Sequence, residues 1–132
     1  MCDTTGAFNS KGDTYTLLNP ISRADYRHVL MNNRGYLFQI NQFGMGNTLC
    51  KFQLDEINTI TENGEKTIYF RDDDTNDVWC VAGFPYVSEV ENYTCTHKPS
   101  CTVISSVHNG IKVSIKYFVP IDKQCEIQSV TI

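Results

Sequence analysis

Between Arg71 and Asp77 the chain places one arginine and four aspartates within seven residues. Carboxylates at that density have three uses: holding a cation, pairing with the arginine, or meeting a sugar. Asp72, Asp74 and Asn76 fall at the first, third and fifth positions of a calcium-loop pattern. The sixth position, where such a loop needs glycine, is Asp77, and the twelfth, where it needs glutamate, is Gly83. The stretch therefore reads as a solvated acidic turn, and no metal is expected. Arg71 beside Asp72 and Asp73 can hold the turn by bidentate pairing, or can contact a sugar or a neighbouring domain. Tyr69 and Trp79 flank the turn. Either can offer a flat face to a pyranose ring, although strand aromatics commonly pack inward.

His97 and His108 are candidate acid–base groups, because imidazole changes charge near neutral pH. His108 precedes Asn109-Gly110 and reads as a loop residue. Neither histidine has a nucleophile partner, since no Ser or Cys sits in a nucleophile-elbow pattern. Gly44-Met45-Gly46-Asn47 lacks the Lys-Ser/Thr that completes a phosphate-cradling loop. No catalytic residue is assigned, and no cofactor is expected.

Six cysteines stand at 2, 50, 80, 95, 101 and 125, with no Cys-x-x-Cys pair. Cys95 and Cys101 are too far apart in sequence for the tight paired spacing of zinc sites. Reduced, buried thiols are the expectation, because free cysteine behaves as a small hydrophobe. The N-terminus shows no basic region followed by an apolar one, so a cytoplasmic location is expected. Without an export signal, the sequon Asn92-Tyr93-Thr94 has no glycosylation reading. A net charge of −4 and the lack of a Lys/Arg cluster argue against nucleic acid or an anionic membrane as partner. No apolar run is long enough to span a bilayer.

The elements that must position these residues are strands. With 132 residues, 41% of them hydrophobic, the chain can build one ordinary core. Helical periodicity is nearly absent, and short β-rich runs alternate with turn signals. We expect an all-β fold, an antiparallel β-sandwich, as a single domain over 1–132 with 1–12 a flexible N-terminal segment. Strands are expected at 13–18, 35–42, 49–53, 67–70, 78–81, 90–95, 101–107, 111–119 and 125–132. Hairpin turns are expected at 63–64, 72–77 and 109–110, since Asn-Gly accommodates the positive φ of tight turns. Residues 111–119 alternate most clearly. Ile111, Val113, Ile115, Tyr117 and Val119 share one face, and Lys112, Ser114 and Lys116 the other. Pro120 ends that ladder because it has no N–H to donate. The final run, 125–132, reaches Ile132 without a polar cap, which leads us to expect that the natural chain continues.

As a string, Ile68-Tyr69-Phe70-Arg71-Asp72-Asp73-Asp74-Thr75-Asn76-Asp77-Val78-Trp79 resembles a segment of the inverting glycoside phosphorylases, the cellobiose and chitobiose phosphorylase family (glycoside hydrolase family 94). The family segment reads Y-I/L-Y-L-R-D-x-D-T-G-x-x-W. Four further segments are similar in the same order. Asn19-Pro20 with Tyr26 and Leu30 stands where the family has Pro, Trp and N-Y-L. Residues 36–46 resemble the next strand and its glycine turn. Tyr93 to His97, with Thr102 and Ile104, resembles Y-x-C-x-H-G-x-G-Y-T-x-I, with Lys98, Ser100 and Cys101 replacing the two glycines and the tyrosine. Asn109-Gly110-Ile111, Phe118-Val119-Pro120 and Glu126 to Ile132 resemble N-G-I, F-V-P and E-I/V-x-x-V-T-I.

The resemblance covers about residues 15–132. It implies the first half of the family's N-terminal β-sandwich, a partial supersandwich of galactose-mutarotase-like type. In the family, a helical barrel elsewhere in the enzyme carries the catalytic Asp and the phosphate site. The resemblance therefore implies a non-catalytic part of an enzyme that splits β-linked oligosaccharides with inorganic phosphate. Its implied partners are the helical barrel, a second copy in a homodimer, and oligosaccharide. Arg71, Asp72, Asp73, Trp79 and His97 are its candidate substrate-binding or interface residues. The alternative is a stand-alone carbohydrate-binding or interaction module, which needs an exposed aromatic platform beside polar groups.

Overall fold

The structure is a computed structural model that describes residues 6–21, 26–51, 57–61, 66–85 and 89–132. It is all-β, an antiparallel sandwich with no helix among the described residues. In chain order the strands are β1 (Gly6–Phe8), β2 (Tyr15–Leu17), β3 (Arg27–Met31), β4 (Tyr36–Asn41), β5 (Thr48–Lys51) and β6 (Ile57–Thr61). They continue with β7 (Tyr69–Arg71), β8 (Val78–Cys80), β9 (Glu91–Lys98), β10 (Cys101–His108), β11 (Ile111–Phe118) and β12 (Ile127–Thr131). One sheet runs β1-β2-β9-β10-β11-β12, a second runs β3-β4-β5-β6, and β7 pairs with β8 alone.

The two large sheets share one core, because alternation aims every second side chain of each at the other. Leu17, Cys95, Ile104, Val113, Ile115 and Tyr117 enter it from the first sheet, and Leu30, Phe38, Ile40 and Cys50 from the second. The rings of Phe38 and Tyr117 meet across it with centroids 6.4 Å apart. The alternation of β11 holds as expected. Val113, Ile115 and Tyr117 are buried and Ile111 packs against the core, while Lys112 and Lys116 are exposed.

Turn chemistry sets the register. Asn109 and Gly110 take φ of 48° and 80°, the paired positive values of a tight hairpin, and His108 faces Ile111 across them. Between β4 and β5 the chain folds back so closely that a Cβ on Gly46 would lie 1.5 Å from the Gln39 carbonyl oxygen. Only glycine fits there. Asn41 Oδ1 secures the same loop by accepting from the amides of Phe43 and Met45.

Three strands depart from the sequence reading. Residues 6–8, expected within a flexible segment, pair with β2, and the connecting turn closes through Asn9 and Asp13. β3 contains Arg, His and Met, which mask a Leu30-centred alternation, and it pairs with β4. β6 also lacked an expectation. The turn expected at 63–64 lies outside the described residues. Cys50, Cys80, Cys95 and Cys101 are buried free thiols.

Candidate functional site

The acidic segment 72–77 is the tip of the β7–β8 hairpin, closed by the Asp72 amide donating to the Asp77 carbonyl at 2.9 Å. One of its carboxylates is spent on the turn itself and a second on the adjacent arginine. Asp72 accepts from the Asp74 amide and the Thr75 hydroxyl, both at 2.9 Å, and these bonds lower its pKa. Asn76 supplies the positive φ, at 59°. Asp73 Oδ1 accepts from Arg71 Nε at 2.9 Å and Nη2 at 2.6 Å, with both side chains in water. Among the described residues, no three or more His, Cys, Asp or Glu side chains gather as a metal site requires.

Asp77 points the other way. Its Oδ2 lies 2.6 Å from His108 Nε2 and 3.0 Å from Asn109 Nδ2. His108 Nδ1 lies 2.7 Å from the Glu89 carbonyl oxygen. Both acceptors lack a proton, so the ring meets both fully only as an imidazolium. Burial works against that charge, but the Asp77 bond, the Glu89 carbonyl and the nearby Asp77 and Glu91 carboxylates raise the pKa on balance. Trp79 stacks on the His108 ring, with centroids 5.0 Å apart, and is 4% exposed. It therefore has no face to offer a sugar. Tyr69, its neighbour across the sequence motif, is exposed.

His97 stands on β9 and faces the second sheet. Its Nδ1 and the Nδ1 of His28, on β3, both lie 2.9 Å from Thr102 Oγ1. Burial first, then the neighbouring His28, push His97 down to about 4, and burial lowers His28 as well. Both rings are thus neutral at pH 7. The Cys95 thiol, pushed up to about 12 chiefly by burial, lies 3.6 Å from His97 Nε2. A cleft of about 590 Å³ opens beside the two histidines, walled by Phe8, Tyr15 and Tyr26 and rimmed by Lys98.

The five sequence-flagged residues do not converge. Arg71, Asp72, Asp73 and Trp79 belong to the hairpin latched at the His108 end of β10. His97 belongs to the Cys101 end. The strand between spans roughly 23 Å at the usual rise per residue.

Sequence reading also missed a buried polar cluster. Lys66 donates to Glu126 and to Thr48, Thr48 donates to Glu126 at 2.7 Å, and the Tyr36 hydroxyl donates to Glu126 at 3.3 Å. Burial first, then the Glu126 charge, push Tyr36 up to about 12. The Lys66 ammonium also sits 4.8 Å from the centre of the Phe38 ring. These residues come from β4, β5, the approach to β7 and the approach to β12, so no local pattern announces them.

The family model of the glycosyl hydrolase 94 supersandwich domain matches residues 19–132, which include the hairpin and every strand from β3 to β12. The chain belongs to that family. It is similar to 3-O-beta-D-glucopyranosyl-beta-D-glucuronide phosphorylase of Paenibacillus borealis, at 32% identity over 130 residues. That match takes in 98% of this chain and 16% of the relative. Solabiose phosphorylase of the same organism is 27% identical over 74 residues, 56% of this chain and 10% of the relative. The chain thus spans a small part of the length of the curated phosphorylases it matches. Among the described residues of this supersandwich domain, polar side chains from different strands converge at the latched hairpin, at the histidine cleft and around Glu126.

Proposed function

We propose that the chain is a non-catalytic part of the N-terminal β-sandwich of a glycoside phosphorylase. The whole enzyme would split a β-linked oligosaccharide with inorganic phosphate, giving a sugar 1-phosphate. The observation that carries this reading is the family match over 19–132 combined with the small share of each relative that the chain covers. Both relatives are named as phosphorylases. The assigned role is structural support for the remainder of the enzyme, the helical barrel, with a homodimer as the assembly. Inorganic phosphate is a substrate in this reading, and no cofactor is needed. Buried free thiols support a reducing, cytoplasmic setting.

The fate of the carboxylates supports the non-catalytic assignment. Inverting phosphorolysis needs an acid held against the glycosidic oxygen and a phosphate on the opposite face of the sugar. Asp72 is engaged by its turn, Asp73 by Arg71, and Asp77 by His108 and Asn109, while Asp74 stands in water at the tip, where nothing holds a glycosidic oxygen against it. The test is an assay of the purified 132-residue chain for sugar 1-phosphate release from β-linked glucosides plus phosphate. No release is expected. Turnover that vanishes on Asp72→Asn or Asp73→Asn would move the chemistry into this chain and overturn the reading.

A further inference from the structure

The ring of His108 ties three segments of chain together, and both of its nitrogens are engaged. Nε2 meets Asp77 Oδ2 at the hairpin tip, and Nδ1 meets the Glu89 carbonyl oxygen just ahead of β9. Trp79 of β8 stacks on the ring, and Asn109 of the β10–β11 turn lies beside it. The His108 side chain is only 11% exposed.

These partners call for two ring protons. A carboxylate oxygen at 2.6 Å and a carbonyl oxygen at 2.7 Å are acceptors only, so an N–H must point along each line. Asn109 Nδ2 also lies 3.3 Å from Nε2, but it is a donor and has the same Asp77 oxygen at 3.0 Å. Asp77 therefore keeps Nε2. The Trp79 face attracts a cation, and the charges acting on the ring, Asp77 and Glu91, are both negative. A neutral imidazole has one N–H, and it must abandon one of the two acceptors.

The two acceptors are unequal. A hydrogen bond to a charged acceptor is about twice as strong as one to a neutral carbonyl. Glu89 is exposed, so its carbonyl can turn to water at little cost. Asp77 is held in place by Asn109 as well. The single proton of the neutral ring therefore stays on Nε2. The Glu89 side is also the less supported one, because β9 begins irregularly. Asn92 takes a φ of 51°, and the pairing with β10 shifts between Ser105 and Val107.

We propose that His108 is a proton-operated clasp between the acidic hairpin and the entry to β9. The imidazolium holds both, and the neutral ring keeps the hairpin and releases Glu89. Proton binding closes the clasp, so it is closed below pH 6.5 and opens as pH climbs through the raised pKa of the ring. The clasp makes no use of the phosphorylase reading, and its failure would leave that reading intact.

The test is NMR of the ¹⁵N-labelled chain from pH 6 to pH 9, reading the ring nitrogens of His108 directly, with tryptophan emission in parallel. His28 and His97 titrate lower and stay out of this window. Nδ1 of His108 should lose its proton above pH 6.5 while Nε2 keeps it. The amide signals of Glu89 and Val90 should move with the same midpoint. Trp79 is the single tryptophan of the chain. Its emission should brighten as the quenching imidazolium disappears, with no red shift, because the hairpin stays seated. Asp77→Asn deletes a negative charge and should weaken proton binding to His108 about tenfold. His108→Gln should abolish the Glu89 and Trp79 transitions. Absence of a His108 transition in this range would overturn the proposal. So would a Glu89 signal that ignores the His108 midpoint. Loss of the proton from Nε2 with a red-shifted Trp79 would mean that the hairpin is released instead, and would overturn it too.

Discussion

Acidification from pH 7 to pH 5 should destabilise this chain through His97, and replacing that one residue should remove the effect. The folded state holds His97 down to about 4 from an ordinary 6.5, because protonation would place a charge in the sandwich beside His28. The unfolded chain therefore binds the proton first. Stability contributed by the neutral ring is complete above pH 6.5 and is lost as pH falls toward 4. The full shift corresponds to about 3.4 kcal/mol, of which about 2 kcal/mol is lost by pH 5. His97 is half-buried, not enclosed, so solvent screening brings the expectation to about 1–1.5 kcal/mol. The assay is urea unfolding at pH 7 and pH 5 for the parent and for His97→Gln. Most carboxylates stay ionised at pH 5, and His108 shifts in the opposite sense in both proteins, so both contributions cancel in the difference. The parent should lose about 1–1.5 kcal/mol more than the variant. Equal losses would refute the claim that the histidine pair is held neutral by burial.

Other outcomes follow from burial and pairing. Ile115→Ala, at a fully buried position on β11, should cost about 2–5 kcal/mol by urea unfolding; a loss below about 0.5 kcal/mol would contradict its place in the core. Lys66→Ala leaves the Glu126 carboxylate, whose side chain is 12% exposed, without its cation, and should cost about 3–5 kcal/mol. Lys66→Met with Glu126→Gln removes both charges and should recover most of that loss. Arg71→Ala breaks only a solvent-exposed pair and should change stability by less than about 1 kcal/mol in the same assay. His108 has a raised pKa, so its contribution is present below pH 6.5 and fades as pH climbs through the raised value. Unfolding at pH 6 and pH 8.5 should show that fall in the parent and not in His108→Gln.

The clearest parts of the fold were legible because local pattern and global environment agree. β11 alternates apolar and polar residues, and the sheet buries one face of it, so one period determines both strand and facing. The 72–77 and 109–110 turns were legible because Asp, Asn and Gly carry turn geometry in their own side chains or lack of one. β3 was not, since Arg27, His28 and Met31 lie outside the β-branched and aromatic set that marks a strand, and pairing with β4 organises it from outside. The site divides in the same way. His97 stands within a recognisable motif, but its partner His28 lies far earlier in the chain and on the other sheet. The hydroxyl that joins them comes from the next strand. The Lys66–Glu126 pair likewise bridges segments with no sequence proximity. Local reading finds the donors of a turn and misses a pair assembled by packing.

The same division explains why charge density alone misleads in this chain. Acidic residues crowded within one turn satisfy one another's neighbours: amides, a hydroxyl and an adjacent arginine are all within three residues. Such groups are solvated, locally engaged and have little left to recognise a ligand. Asp77 escapes the turn only to fasten the hairpin to His108 and Asn109. The cleft residues are the reverse case. His28, His97 and Thr102 are sparse and unremarkable in sequence, yet packing removes water from them and forces a shared proton arrangement. A desolvated, oriented donor discriminates between ligands better than an exposed carboxylate, because its alternative to binding is a poorly solvated group. The desolvated polar groups of the two facing sheets thus gather where β9 turns into β10, and the acidic hairpin is the fastening at the other end.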